Sequence, residues 1–180
     1  MDISNAYGAG LRDAKIRDSG GDVHDIYGVV TAEGNTQREE TEVRGDDQIL
    51  GTFGSALREE ITIEANAVSF DAIQAITGNQ VTEVVDESST INLGTEGELN
   101  PVFVEVQAFT AAKFKGGENA EIKKTWHRVQ INSITIAQAG EQEFKVTMEG
   151  IALQTDSDIT GAAFTPAVTK IATLEVYKED

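Results

Sequence analysis

Residues 58–79 read REEITIEANAVSFDAIQAITGN. Two periods meet inside this stretch. Up to Ala65, the residues Ile61, Ile63 and Ala65 alternate with Glu60, Thr62 and Glu64, the period of a strand with one apolar face. From Phe70 onward the apolar residues fall three apart, at Phe70, Ile73 and Ile76, a stripe along one side of a short helix. The junction carries helix punctuation. Ser69 suits an N-cap, Val68 and Ile73 form a hydrophobic staple across it, and Asp71 in the first turn complements the helix dipole. Gly78 stands where a left-handed C-cap belongs. Two turns of helix do not hold themselves together in water. Phe70, Ile73 and Ile76 are therefore expected to dock on a sheet, covering an edge or the open end of a barrel.

The strand period recurs on either side. Val102, Val104, Val106 and Ala108 share a face opposite Phe103, Glu105, Gln107 and Phe109, and Phe144, Val146 and Met148 alternate with Lys145, Thr147 and Glu149. Strands with one wet face suit an antiparallel sheet. Two runs change phase midway. Val129 and Ile131 give way to Ile134 and Ile136 across Asn132-Ser133, and Met148 gives way to Ile151 and Leu153 across Gly150. A β-bulge in each would do this, as would a strand that leaves one sheet for another. Turn signals stand at DSGGD (18–22), EGN (33–35), RGDD (44–47), KGGEN (115–119) and QAGE (138–141), with Gly116-Gly117 supplying positive φ at a hairpin tip. The fold expected is mainly β: an antiparallel β-sandwich or open barrel over residues 1–180, with one short flanking helix and long hairpin arms.

Composition narrows the function. The chain has 180 residues, 14 basic and 31 acidic, for a net charge of −17. Such a surface repels nucleic-acid phosphates and anionic lipid. There is no Cys, which excludes disulfides and thiolate metal sites. The N-terminal residues lack the basic-then-apolar order of a signal peptide, and no apolar run approaches the ~20 residues that span a bilayer. A soluble protein, retained where it is made and without a membrane partner, is the expectation.

A catalytic set is not evident. His127 lies in KKTWHRVQ with no carboxylate at short spacing to orient it, and reads as a polar strand residue. Asp22, His24 and Asp25 resemble a partial metal site that nothing completes. DSGGDVHD lacks the ligand spacing of a calcium loop, and RGDD reads as a turn. Glu39-Glu40 and Glu59-Glu60 are adjacent on strands and face opposite ways. No phosphate loop, zinc helix or nucleophile elbow appears. The expectation is a non-enzyme without catalytic, metal-binding or cofactor-binding residues.

Two segments, 33–57 and 80–100, are acidic and short of apolar residues. Ordering such arms costs ~1–2 kcal/mol per residue in backbone entropy, which a neighbouring subunit would offset. In TQREETEVRGDDQIL (36–50), Arg38, Glu40, Glu42 and Arg44 fall on one face and Glu39, Thr41 and Val43 on the other, with Asp46 and Asp47 following. A hairpin polar on both faces suits charge-paired docking on another copy; the alternative is a solvent-exposed hairpin without a partner.

The stretches VTAEGNTQREETEVRGDDQILGTF (30–53), REEITIEANAVSFDAIQAITGN and EFKVTMEGIALQTDSDITGAAFTPAVTKIATLEVY (143–177) cover roughly half of the chain. In texture they resemble the major tail tube proteins of long-tailed bacteriophages. The resemblance rests on pattern, since none of these stretches is an invariant signature. It implies a structural protein of the virion tail, made in the host bacterial cytoplasm. Its hexameric rings would stack head to tail into a helical polymer, with one ring-wide β-barrel around an acidic lumen that passes DNA without binding it. It also implies partners at the tape measure, tail terminator and tail tip. By analogy Arg38, Glu40, Glu42, Arg44, Asp46 and Asp47 lie at the contact between rings or subunits, and the helix on the flank of the ring. The inner-tube protein of a contractile tail or of a type VI secretion-like system shares this architecture. A carbohydrate-binding β-sandwich, short of exposed aromatics with one Trp and three Tyr, and a small barrel hydrolase are the readings of other classes.

Overall fold

The structure, a computed structural model, describes residues 6–37, 40–45, 48–54, 57–78, 81–84, 88–91, 102–114, 117–137 and 145–178; for 6–9, 40–45, 48–54, 70, 81–84 and 88–91 the backbone alone is described. In chain order the elements are β1 (Ala6–Arg17), β2 (Val23–Gln37), β3 (Glu40–Gly45), β4 (Gln48–Gly54), β5 (Arg58–Val68), α1 (Phe70–Thr77), β6 (Val81–Val84), β7 (Ser88–Ile91), β8 (Phe103–Phe114), β9 (Asn119–Ala137), β10 (Lys145–Leu153) and β11 (Ala172–Lys178). The fold is mainly β and antiparallel with one short helix among the described residues, as the alternation predicts.

Seven strands pair in the order β10-β5-β2-β1-β8-β9-β11, and β10 also pairs with β9, so the sheet closes on itself. Closure depends on β9. One edge of it lies along β8. The other takes β11 from Ala120 to Trp126 and β10 from Val129 to Ala137. A strand of 19 residues can change partners in this way only by bending, and β9 is bulged twice. Val104 and Val106 of β8 face Val129 and Trp126, leaving one residue too many on β9 between them. Glu149 and Gly150 of β10 face Ser133 and Ile131, which leaves Asn132 over. Each extra residue flips the inward phase, from Trp126 to Val129 and again from Ile131 to Ile134. The second flip is the one expected at Asn132-Ser133.

In β10 the expected phase change does not occur. Its ladder with β5 runs without a shift from Val146 to Leu153, and Val146, Met148, Gly150 and Ala152 are all buried. Ile151 and Leu153 are half-buried on the opposite face. Gly150 marks a close approach of backbones: a Cβ there would lie 2.6 Å from the Gln130 carbonyl oxygen across the bulged β9. The bulge belongs to the partner strand.

Inside the barrel, Ala14 and Ile16 of β1, Ile26 of β2, Ile61, Ile63 and Ala65 of β5, Val104 and Val106 of β8, Trp126 and Val129 of β9 and Val146 and Met148 of β10 form one cluster, which Ala72 and Ile76 of the helix join. The helix follows directly on β5 and contacts β1, β2, β8 and β9. Its caps are those expected. The Ser69 hydroxyl accepts from the Ala72 N–H at 3.1 Å, and Gly78 is left-handed with its N–H donating to the Gln74 carbonyl. Ile73 and Ile76 are 5% and 4% exposed, so the docked stripe is present at both; the Phe70 side chain lies outside the described residues.

The opposite end of the β2–β5 ladder is polar. Glu59 continues the inward phase of Ile61 and Ile63 and is buried, and Lys124 Nζ donates to its Oε1 at 2.6 Å while lying 4.4 Å from the Trp126 ring centroid. Gly34 makes room for this pair, because a Cβ there would come within 2.7 Å of the Glu59 carboxyl carbon. The turn expected at Glu33–Asn35 is accordingly absent. These residues lie within β2, opposite Thr62, Ile61 and Glu60, and the first arm is shorter than residues 33–57.

Beyond Gln37 and Arg58 the arm β3–β4 pairs from Glu40↔Gly54 to Gly45↔Gln48. The DSGGD and KGGEN segments make the expected β1–β2 and β8–β9 turns, the second with Gly117 at φ 86; Gly116 and the QAGE segment lie outside the described residues. Part of the second arm, 80–100, is the hairpin β6–β7, from Val81↔Ile91 to Val84↔Ser88. Ile73→Glu places a carboxylate against the core and should lower stability by at least about 3 kcal/mol, read as a lowered urea midpoint; an unchanged midpoint would remove the helix from the core. Gly34→Ala should cost about 1–3 kcal/mol by overpacking, and a Glu59→Gln background should reduce that cost little, because the obstruction is steric.

Candidate functional site

The outer face of β8 and β9, expected to be wet, is covered. Residues 154–171 cross it as a strap. Thr155 and Lys170 bridge its two ends, Ser157 and Ala163 bridge its middle, and the His127 N–H donates to the Ile171 carbonyl at 3.1 Å. The strap turns tightly at Asp158, whose Oδ1 accepts from the Thr160 N–H, the Thr160 hydroxyl and the Ala162 N–H at 3.0, 2.8 and 2.9 Å.

Beneath the strap lies a polar cluster. Glu105 is 3% exposed and His127 8%. His127 Nδ1 is 3.4 Å from Glu105 Oε2, and His127 Nε2 is 2.6 Å from the Thr173 hydroxyl. Gln107 donates to Glu105 Oε1 at 2.7 Å. Arg17 stands 3.9 Å from the same oxygen and 3.5 Å from Asp158 Oδ2, tying the barrel to the strap. Phe164 of the strap lies over His127 with ring centroids 4.6 Å apart, and Lys170 Nζ lies 4.4 Å from the Phe164 centroid. A cavity of about 370 Å³ opens among these residues, lined also by Lys123, Thr125 and Glu175.

Protonation follows from the contacts. Burial pushes the Glu105 carboxyl up, but hydrogen bonds from His127 and Gln107 and the charges of His127 and Arg17 outweigh it and hold it below the usual glutamate range. Burial also pushes the Asp158 carboxyl up, and the bonds from Thr160 and Ala162 with the Arg17 charge bring it below its usual range. An ionised carboxylate only accepts hydrogen bonds. His127 Nδ1 therefore carries the proton toward Glu105, and in the neutral ring Nε2 accepts from the Thr173 O–H. The order hydroxyl, imidazole, carboxylate runs across β11, β9 and β8.

No sequence pattern joins these residues, because Glu105 is 22 positions from His127 and Thr173 is 46. No carboxylate stands at short spacing from His127, as expected; strand pairing supplies Glu105 from a distance. One signal was legible, a glutamate within the apolar run VFVEVQ. His24 meets Asp18, at 3.3 Å, while Asp25 pairs with Lys15 at 3.2 Å. Asp22 meets Asp18 through its backbone, its N–H donating to the Asp18 carboxylate at 3.0 Å. Of the arm residues singled out, Glu40, Glu42 and Arg44 lie on β3, while Arg38, Asp46 and Asp47 are outside the described residues.

Because the folded Glu105 carboxyl titrates lower than in the unfolded chain, its contribution to stability is complete above the usual glutamate value of about 4.3 and is lost as the pH falls through its depressed folded value. Glu105→Gln should lower the urea midpoint at neutral pH and shrink its decline on acidification. An acid decline as steep as in the parent would assign that loss to other carboxylates.

No protein-family model matches the chain, and no curated protein matches it. Among solved structures it is similar to Hcp1 from Salmonella typhimurium, at 11% identity over 94% of this chain and 95% of that one, with a TM-score of 0.36. A likeness of that degree assigns neither a family nor a function.

Proposed function

We propose that this protein is a structural subunit that assembles with copies of itself into rings, and that the rings stack into a hollow tube. The observation that carries the proposal is the arm β3–β4. Its strands pair with each other and with no described barrel strand, and a two-stranded ribbon alone is marginal in water. A second copy is the partner its length and its mixture of charges favour. The edge of β11 away from β9 supports the same reading: no described strand pairs with it, and Leu174 and Tyr177 on that strand are 60% and 46% exposed. Open edges invite pairing between chains.

The finer proposal is a tail tube of the bacteriophage kind that the sequence resembles. A net charge of −17 suits a conduit for DNA, because an acidic wall repels phosphates and lets the polymer slide. On this proposal the arm residues Glu40, Glu42 and Arg44 meet the next ring, and the subunit needs neither cofactor nor metal.

Negative-stain electron microscopy of the purified protein over a range of concentrations should show six-fold rings or hollow tubes. Arg44→Glu should shorten or abolish the tubes while leaving the thermal melt of the subunit unchanged. Small particles of uniform size at every concentration, even with a tail-tip initiation complex added, would overturn the proposal.

A further inference from the structure

We propose that Thr173 is a site of covalent acyl modification, its hydroxyl activated by His127 and taking an acyl group from small carboxylic esters that enter the cavity under the 154–171 strap. The proposal is independent of assembly. It rests on the row of groups at 2.6 and 3.4 Å from Thr173 through His127 to Glu105.

Three features separate this row from an ordinary cross-strand hydrogen bond. First, one end of the row is committed. The Glu105 carboxylate accepts from Gln107 and faces Arg17, so His127 Nδ1 is the donor toward it, and in the neutral ring the Nε2 lone pair is left for the Thr173 proton. Second, Thr173 and His127 line a cavity of about 370 Å³, a volume within the range of small-ligand sites. Third, that cavity holds groups suited to a polarised carbonyl. Lys123 and Lys170 line it.

In the step itself, Thr173 Oγ1 forms a bond to the ester carbonyl carbon as its proton passes to His127 Nε2. The carbon–alkoxide bond then breaks, and the leaving alcohol takes that proton. The product is an acyl-threonine, with the imidazole neutral again. No oxidant or further reactant is needed. His127 acts as the base; Glu105 acts through it as a positioning residue.

The test treats the full chain with p-nitrophenyl acetate and, separately, with a fluorophosphonate probe. The probe forms an O–P bond at an activated hydroxyl as fluoride leaves. Peptide mapping by mass spectrometry should find both adducts on Thr173. Thr173→Ser should keep them and Thr173→Val should lose them. His127→Gln should slow labelling about a hundredfold, the scale of a lost general base, and Glu105→Gln should slow it less. Thermal melts identify variants that fold. If His127→Gln does not fold, the comparison of Thr173→Ser with Thr173→Val decides. Absence of either adduct from Thr173 in the folded parent, or labelling indifferent to His127→Gln, would overturn the proposal and leave the row with a structural role alone.

Discussion

The change of partner along one edge of β9 is the constraint on which the rest depends. Val129 and Gln130 pair with β8 on one side and β10 on the other, while Ala120 to Trp126 take β11 instead. A straight strand cannot serve both partners. The two bulges bend it, and each turns the next apolar residue inward, so that Trp126, Val129, Ile131 and Ile134 all meet the core despite their mixed spacing. Gly150 belongs to the same device, because only a residue without a side chain lets β10 pass the bulge so closely.

Closure in turn creates two ends with different chemistry. After β5 the chain enters the helix, which contributes Ala72 and Ile76 to the cluster inside the barrel. At the far end of the same ladder the interior holds the ion pair of Glu59 and Lys124, with Gly34 kept bare beside it. The pair adds less to stability than its short distance suggests, since the Glu59 carboxylate leaves water while Lys124 stays partly in it. Breaking it leaves the Glu59 charge buried, so the pair ties β5 to β9 across the barrel. The arm leaves the barrel from this polar end.

The strap gives the outer face a second buried layer. Without residues 154–171, Glu105 and His127 would lie on an open sheet, where an ion pair is worth little. Under the strap they are nearly inaccessible, and each polar contact bears on what the next group does. Arg17 reaches Glu105 on the barrel and Asp158 on the strap, so one guanidinium ties the two layers together. An order of hydroxyl, imidazole and carboxylate thus stands in a chain whose composition suggests only a scaffold.

Much of this architecture was legible in the residues themselves. The alternation at Ile61, Ile63 and Ala65, the caps at Ser69 and Gly78 and the phase flip at Asn132-Ser133 are local signals, and local signals act through neighbours in the chain. The misreadings share one physical reason. Gly34 looked like a turn because glycine usually buys conformational freedom; here it clears space for Glu59, 25 positions away. Gly150 looked like a bulge because the bulge on β9 opposite it is invisible in β10. Glu105 looked wet because nothing near it in sequence foretells the strap. The sequence by itself determined that the chain is mainly antiparallel strand, where the helix starts and stops, and how acidic the chain is, since these follow from side-chain period, capping and charge. Only the tertiary structure decided which strands close the barrel, which face is covered and which groups meet at His127, because those are contacts between distant residues, and no period along one segment records its partner.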